Sequence, residues 1–388
     1  MTPPARAQAA IELLDLIINA AREGGAAADT LIARYFAERR YAGSKDRRAV
    51  RELVYAAIRR AGEPPASGRA ALLPLADEDP ALAAAFDGSG YGPPPIAPSE
   101  PRAAAGVAPA WLEEALVASG LARESLPALV GRAPLDVRVN PLRPADPPEG
   151  VPLRIPGGLR LPTGTPIEAL PAFREGGIEV QDEGSQIVGL ALPAAPGDRI
   201  VDLCAGAGGK TLALAARMRN QGVLLACDTD RVRLSRLPPR AARAGASVIE
   251  RRLLDPEREM RALAEWRGSA DGVLVDAPCS GTGTWRRNPE ARWRLTSARL
   301  DRLRALQGHV LATGAALVRP GGALVYVVCS LLDAEGPDQV DAFLADQPGW
   351  TADGLQLPAG APHGAGWRLE PARDGTDGFF VARLRAPC

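Results

Sequence analysis

The apolar positions fall into three regimes along the chain. Over residues 5–60 they recur every three or four positions. Ala10, Leu13, Leu14, Ile17 and Ile18 form one stripe, and Val50, Leu53, Val54, Ala57 and Ile58 form another, which predicts amphipathic helices. A helix between them starts near Asp29, an acidic N-cap candidate, and Ser44 is expected to cap the next. The polar face of that third helix carries Lys45, Arg47, Arg48, Arg51, Arg59 and Arg60, with Phe36 and Tyr41 near by. Such a face is either a solvated surface or a patch for RNA phosphates. Residues 61–110 are rich in Pro, Gly and Ala, with a helix expected over 69–86 and loop chemistry at Gly88-Ser-Gly-Tyr-Gly-Pro-Pro-Pro. Two more helices are expected over 111–120 and 126–130. Pro134-Leu-Asp-Val-Arg-Val-Asn alternates like a strand, and 141–180 reads as short strands between Pro/Gly turns. From residue 183 apolar strands alternate with helical segments. Strands are expected over 199–204, 222–227, 248–251, 272–276, 323–328 and 379–384, with helices after the first, second and fourth. A parallel, doubly wound α/β sheet is the natural solution, because right-handed crossovers place helices on both faces.

Composition narrows the setting. With 388 residues, two or three domains are expected. The 46 basic and 46 acidic residues cancel, so any electrostatic footprint for nucleic acid must be local. No apolar run is long enough to span a bilayer, and the first residues do not read as a secretory signal. Five scattered cysteines and two histidines make neither a zinc site nor a disulfide framework, so no metal and a reducing cytoplasm are expected. The basic residues are Arg except for Lys45 and Lys210.

The first strand, Ile200-Val-Asp-Leu-Cys, runs into Ala205-Gly-Ala-Gly-Gly-Lys-Thr and then a helix. Glycines at such a tip let backbone approach a ligand closely. Asp228, 26 residues beyond Asp202, ends the next strand and is placed to accept hydrogen bonds from a ribose diol. A phosphate loop fails by one position, because Ala205 stands where its first Gly belongs. A dinucleotide loop fails because Lys210 and Thr211 follow Gly209. A nucleoside such as S-adenosylmethionine and a merely structural tight turn remain. Lys210 adds weight to a ligand, since a compact ammonium fills roles a guanidinium does not.

The strand Gly272-Val-Leu-Val-Asp-Ala-Pro-Cys-Ser-Gly-Thr-Gly ends in Asp276 and Cys279, and Ala323-Leu-Val-Tyr-Val-Val-Cys-Ser ends in Cys329. Both tips belong at the carboxyl edge beside the glycine loop, so two thiols and a carboxylate are expected in one cleft. Cys204 and Cys227 read instead as small buried hydrophobes. Methylation of cytosine at C5 needs such a set. A thiolate adding to C6 makes C5 electron-rich, a carboxyl group at N3/N4 stabilises the adduct, and a second thiol assists its breakdown. Lys210 could orient Asp276 and favour the thiolate.

These residues resemble the Sun-type RNA cytosine-5 methyltransferases, in particular the RsmB-like branch acting on small-subunit ribosomal RNA. The likeness is carried by Val180-Gln-Asp-Glu-Gly-Ser-Gln, Asp202-Leu-Cys-Ala-Gly-Ala-Gly-Gly-Lys-Thr, Asp228-Thr-Asp-Arg-Val-Arg-Leu-Ser-Arg, Asp276-Ala-Pro-Cys-Ser-Gly-Thr-Gly, Val328-Cys-Ser and Asp377-Gly-Phe-Phe-Val-Ala. The resemblance implies Cys329 as nucleophile, Cys279 as release cysteine, and Asp276 and Lys210 as their catalytic partners. It implies S-adenosylmethionine contacts at Cys204, Ala205, Gly206, Ala207, Gly208, Gly209, Lys210, Asp228, Asp255 and Asp276. Arg40-Tyr-Ala-Gly-Ser-Lys-Asp-Arg-Arg-Ala-Val resembles part of that branch's NusB-like helical RNA-binding domain. The implied architecture is a NusB-like domain over 1–110, linker helices with a small α+β RRM-like module over 111–180, and a Rossmann-like class I methyltransferase domain over 181–388.

A basic, aromatic segment, Trp285-Arg-Arg-Asn-Pro-Glu-Ala-Arg-Trp-Arg, follows the Cys279 motif. Its tryptophans either stack RNA bases or anchor the loop to a core. The expected partner is ribosomal RNA, with no membrane and no DNA, and a monomer is expected. A DNA cytosine methyltransferase would leave Cys329 unexplained. A transfer-RNA methyltransferase of the same chemistry, or a non-catalytic RNA-binding assembly factor, are the competing functions.

Overall fold

A computed structural model describes all of residues 1–388. The chain divides into two compact units, one of residues 1–132 with 284–296 and one of 133–283 with 297–388. These limits differ from the boundaries at 110 and 180 that the family resemblance implies.

The first unit is helical: α1 (Pro3–Glu23), α2 (Ala28–Glu38), α3 (Ser44–Arg60), α4 (Gly68–Glu78), α5 (Pro80–Ala83) and α6 (Ala110–Ala118), then a 3-10 segment (Arg123–Val130). The stripes on α1 and α3 bury Leu13, Leu14, Ile17, Ile18, Val50, Val54 and Ile58 against Leu72 and Leu73 of α4. Gly68 permits the close approach of α4 to α1, since a Cβ there would sit 2.1 Å from the Ile11 carbonyl oxygen. Three local expectations are corrected. Asp29 lies inside α2, and its carboxylate accepts from Arg51 (2.5 Å) and Tyr55 (2.7 Å) rather than capping. Ser44 is the first helical residue of α3, and the Gly43 N–H is satisfied by Asp46 Oδ2 at 3.3 Å. The helix expected over 69–86 breaks at Asp79, because Pro80 disfavours helical backbone before it and Asp79 then caps α5.

The inserted segment 284–296 corrects the stacking expectation. Trp285 and Trp293 are both buried. Trp293 Nε1 donates to the carbonyls of Ala61 and Gly62, each at 3.2 Å. The guanidinium of Arg292, fully buried, donates to the carbonyls of Ile58 (2.6 Å) and Ala61 (2.8 Å). These are the open carbonyls at the C-terminus of α3, where a cation is favoured. Arg294 does the same for Gly25 and Ala26, each at 2.7 Å. The tryptophans and these two arginines are thus spent on anchoring.

The second unit starts with a four-stranded antiparallel sheet of β1 (Leu135–Val139), β2 (Val151–Pro152), β3 (Gly158–Leu161) and β4 (Ile178–Val180), in the order β2-β3-β1-β4, with a single short helix α7 (Pro171–Arg174). Its buried carboxylates are paired: Asp136 with Arg160 at 2.7 Å, and Glu179 with Arg240 at 2.9 Å and with Arg243.

The rest is the large sheet. After α8 (Glu183–Gly189) come β5 (Arg199–Asp202), α9 (Gly209–Arg217), β6 (Val223–Asp228), α10 (Arg231–Leu234), α11 (Leu237–Ala244), β7 (Ile249–Leu253), α12 (Glu259–Ala262) and β8 (Ala270–Asp276). They are followed by α13 (Ser297–Ala315), β9 (Val318–Val328), α14 (Pro337–Asp346), β10 (Thr351–Asp353), β11 (Ala361–His363), β12 (Gly366–Leu369), α15 (Pro371–Asp374) and β13 (Phe379–Arg385). The order is β11-β12-β13-β9-β8-β5-β6-β7, with β10 on β13. All six expected strands form. Alternate side chains sort onto two faces: Ile200, Leu224, Leu274 and Val325 join one core, and Val201, Leu225, Val273 and Leu324 the other. Such two-sided burial suits near-continuous apolar strands.

The expectation of a wholly parallel sheet is corrected. β5 to β9 are parallel, but β13 runs antiparallel to β9, with Phe380 opposite Val328 and Arg385 opposite Ala323. The connection from β12 to β13 is too short for a crossover, so those two strands pair antiparallel, as β13 also does with β9. The chain order reverses between β5 and β8, and a crevice at their carboxyl ends is where ligands bind in such sheets.

Candidate active site

The glycine loop leaves β5 and starts α9. Gly206 and Gly208 have φ of +55° and +88°, which only glycine adopts freely. A Cβ at Gly206 or Gly209 would meet nothing within 4 Å, so the loop borders open space. At Gly208 it would strike Leu237 Cδ1 at 2.2 Å, so the loop is tight on its other side. Asp228, at the tip of β6, fixes the loop: Oδ2 accepts the Gly206 N–H at 2.7 Å and Oδ1 the Asp230 N–H at 2.7 Å. Ala205 donates its N–H to the Cys227 carbonyl at 2.8 Å, and Arg240 donates to the Ala207 carbonyl at 2.7 Å. Asp255 is exposed just beyond β7, next to Leu254, whose N–H donates to the Asp228 carbonyl at 2.9 Å. Cys204 packs against the apolar core, and burial with the negative charge of Asp202, Asp228 and Asp276 pushes its thiol pKa well up. Cys227 is fully buried.

Asp202 opens the glycine motif, and the structure adds a burial its own segment does not announce. It is buried and accepts the Thr211 hydroxyl at 2.6 Å, while its second oxygen has no partner. Burial raises its pKa to about 7, with Asp276 adding to the rise and the Thr211 hydrogen bond opposing it.

The thiols meet as expected. Cys279 Sγ and Cys329 Sγ lie 3.4 Å apart, beyond the tips of β8 and β9. Lys210, from the first turn of α9, donates to Asp276 Oδ2 at 2.7 Å. Burial works against the ammonium, but the charge of Asp276 and its hydrogen bond, then Cys329 and Asp202, outweigh it, so the Lys210 pKa is raised. The Lys210 charge therefore stands in the field of both Asp276 and Cys329.

The support behind the thiols was largely missed. Ser280 and Ser330, each following a cysteine, bring their hydroxyls to 3.1 Å, and Thr282 Oγ1 joins Ser330 Oγ at 3.1 Å. Gly283 donates its N–H to the Cys329 carbonyl at 3.0 Å and accepts from Gly378 N–H at 2.8 Å. Glu335, wholly buried, accepts the Ser280 N–H at 2.9 Å, the Ser280 hydroxyl, and Gln307 Nε2 at 2.9 Å. The serines carried a signal, polar residues just past an apolar strand. Glu335 carried none, since Glu-Gly-Pro before a helix reads as a surface start.

Asp182 explains another motif. It caps α8 through the N–H groups of Gly184 (2.7 Å) and Ser185 (3.2 Å), and it accepts the Asp377 N–H at 3.3 Å. One carboxylate thus ties the entry segment to the turn before β13.

Residues 189–385 match the family described as 16S rRNA methyltransferase RsmB/F. The chain belongs to the RsmB/F family. Among curated relatives, the ribosomal RNA small subunit methyltransferase B of Salmonella paratyphi A is 36% identical over 231 residues, covering 59% of this chain and 52% of its own. The chain thus spans about half the length of the curated relatives it matches. Among solved structures, PH0851 has a TM-score of 0.78 at 25% identity, over 99% of each chain. NSun6 from Pyrococcus horikoshii with SFG has a TM-score of 0.52 at 27% identity, over 58% of this chain and 56% of that one. The RsmB/F family uses S-adenosylmethionine. The open-sided loop of 204–210 and the acid at Asp228 suit it, because they offer backbone and a diol acceptor and no phosphate cradle. No helix of this RsmB/F chain is long and apolar enough to cross a membrane.

Proposed function

We propose that the chain methylates C5 of a cytosine in ribosomal RNA of the small subunit, through a covalent bond from Cys329 to C6. The observation that carries this reading is the pair of sulfurs 3.4 Å apart beside the Lys210–Asp276 ion pair. A single nucleophile needs one thiol; a second within contact distance suits an intermediate that must be both made and dismantled.

Residues 204–210, Asp228, Asp255 and Asp276 would hold S-adenosylmethionine, which supplies an electrophilic methyl group. The Cys329 thiolate adds to C6, and the displaced π electrons enrich C5. Asp276, held by Lys210, is the hydrogen-bonding partner for N3 and the 4-amino group. Once C5 carries the methyl group, its proton must leave. Cys279 passes its thiol proton to Cys329 sulfur as the S–C6 bond breaks toward sulfur. The C5–H electrons re-form the C5–C6 double bond, and Cys279 sulfur accepts the C5 proton. Both thiols end protonated, and the one proton gained is released when Cys329 returns to its thiolate for the next turnover.

The test is incorporation of labelled methyl from S-adenosylmethionine into small-subunit ribosomal RNA, with bisulfite sequencing of the product. Cys329→Ala is expected to lower methylation by on the order of 10³-fold or more, the scale of losing a nucleophile. Cys279→Ala is expected to accumulate a protein–RNA adduct on denaturing gels. A stable adduct from the Cys329 variant instead would reverse the roles, and transfer-RNA labelling without ribosomal RNA labelling would replace the substrate.

A further inference from the structure

Cys279 is framed by its neighbours. Gln307, from α13, donates through Nε2 to the Pro278 carbonyl at 2.9 Å and to Glu335 Oε1 at 2.9 Å. Glu335 accepts the N–H and the hydroxyl of Ser280. The residues on both sides of Cys279 are therefore secured to one amide–carboxylate pair, of which both members are fully buried. The Glu335 main chain is fixed as well, since Tyr326 donates its hydroxyl to the Glu335 carbonyl at 2.7 Å. The side-chain partners of the Glu335 carboxylate are neutral donors. The cation of the site, Lys210, is paired with Asp276.

We propose that Glu335 is a positioning residue that aims Cys279 at Cys329 and keeps Cys279 protonated. The inference rests on the two-thiol reading above and deepens it. Two thiols in contact compete for one negative charge, because ionising either suppresses the other. The charges around them are unequal. Cys329 shares the field of the Lys210 ammonium on α9. Cys279 faces the sulfur of Cys329, burial and the Glu335 carboxylate, all of which push its thiol pKa well up, opposed by the Gly281 N–H. Tyr326 on β9 is buried beside Cys279 and Glu335, and burial followed by those two groups raises its pKa too, so it stays neutral. Asp276, at the tip of β8, is engaged with Lys210. The buried carboxylate held behind Cys279 leaves that sulfur as the proton carrier of the pair.

The experiment is alkylation of the folded protein by iodoacetamide across pH 6–10, with Cys279 and Cys329 followed separately by peptide mass spectrometry. It needs no RNA and no methyl donor. Glu335→Gln keeps the shape and removes the charge; Cys279 alkylation near neutral pH is expected to rise about tenfold, equivalent to one pH unit in its profile, with Cys329 little changed. Ser280→Ala leaves the charge and removes a hydrogen bond that spreads it, so Cys279 alkylation is expected to slow. A loop that is merely loosened would speed both cysteines in both variants, and that result overturns the proposal. So does an unshifted Cys279 profile in Glu335→Gln. If Glu335→Gln does not fold, the slowing in Ser280→Ala decides alone. A shift in Glu335→Gln, alongside a wild-type protein that methylates no RNA, would remove the two-thiol function and leave the charge on Cys279 standing; wild-type methylation with no shift in Glu335→Gln would do the reverse.

Discussion

At the carboxyl edge of the large sheet, the tips of β5 and β6 present backbone, whereas the tips of β8 and β9 present side chains. On the first half, Gly206 and Gly209 clear space and Asp228 organises main-chain N–H groups. On the second half, two cysteines, two serines, a threonine, a glutamine and a glutamate interlock. Lys210 joins the halves, leaving the glycine loop and ending on Asp276. A group bound without chemistry at its own contacts needs shape and a few fixed acceptors. A reaction with bond making and breaking needs groups whose protonation differs, and those cost burial and support.

That contrast can be broken at three points, in decreasing order of effect. Asp276→Asn should remove the Lys210 ion pair and the adduct-stabilising carboxyl, lowering the single-turnover methylation rate by about 10²–10⁴-fold. If saturating methyl donor restores the rate, Asp276 belongs to the binding half and the division fails. Asp228→Asn should act on the other half. It loses a charged acceptor for two N–H groups, so the affinity for S-adenosylmethionine should fall roughly 10–100-fold by calorimetry, for a loss of about 1.5–3 kcal/mol. The rate at saturation should hold. A lost rate with intact affinity would show that the glycine loop also times the chemistry.

The smallest effect concerns Asp202, beneath both halves. Its folded pKa of about 7 lies above the ordinary carboxyl value of 3.8, so the native state binds the extra proton. Its contribution to stability is fully present below the unfolded pKa and is lost as pH rises through about 7. Asp202→Asn keeps an acceptor for Thr211 and removes that dependence. The melting temperature of the variant should gain on wild type between pH 4 and 8. A constant difference across that range would mean that Asp202 is already charged in the folded protein.

Much of the second unit was legible because its signals are local. A strand buried on both faces must be apolar at nearly every position, and Ile200-Val, Val273-Leu-Val and Leu324-Val-Tyr-Val-Val satisfy that. Glycines at a strand tip have few other uses. The antiparallel edge was not legible, because Phe379-Phe-Val-Ala reads alike in either direction and nothing in its own segment sets which way it runs. The basic segment after Cys279 misled for a similar reason. Arginine and tryptophan are as suited to closing a helix end, as Arg292 and Trp293 do, as to holding RNA. Asp29 and Ser44 erred by a residue or two, since Gly43 and Asp46 complete the same turn between them.

Local pattern along the chain is enough to set the strands, the glycine loop, the acid that ends the second strand and the two thiols that end the fourth and fifth. Those follow from side-chain period and from what a backbone permits, which neighbours in the chain enforce. Only the tertiary structure decided that Glu335 and Gln307 stand behind Cys279, that Asp202 keeps one oxygen unpaired, and that Arg292 closes α3. A buried polar group is fixed by partners distant in sequence, and nothing in its own segment says which distant donors will reach it.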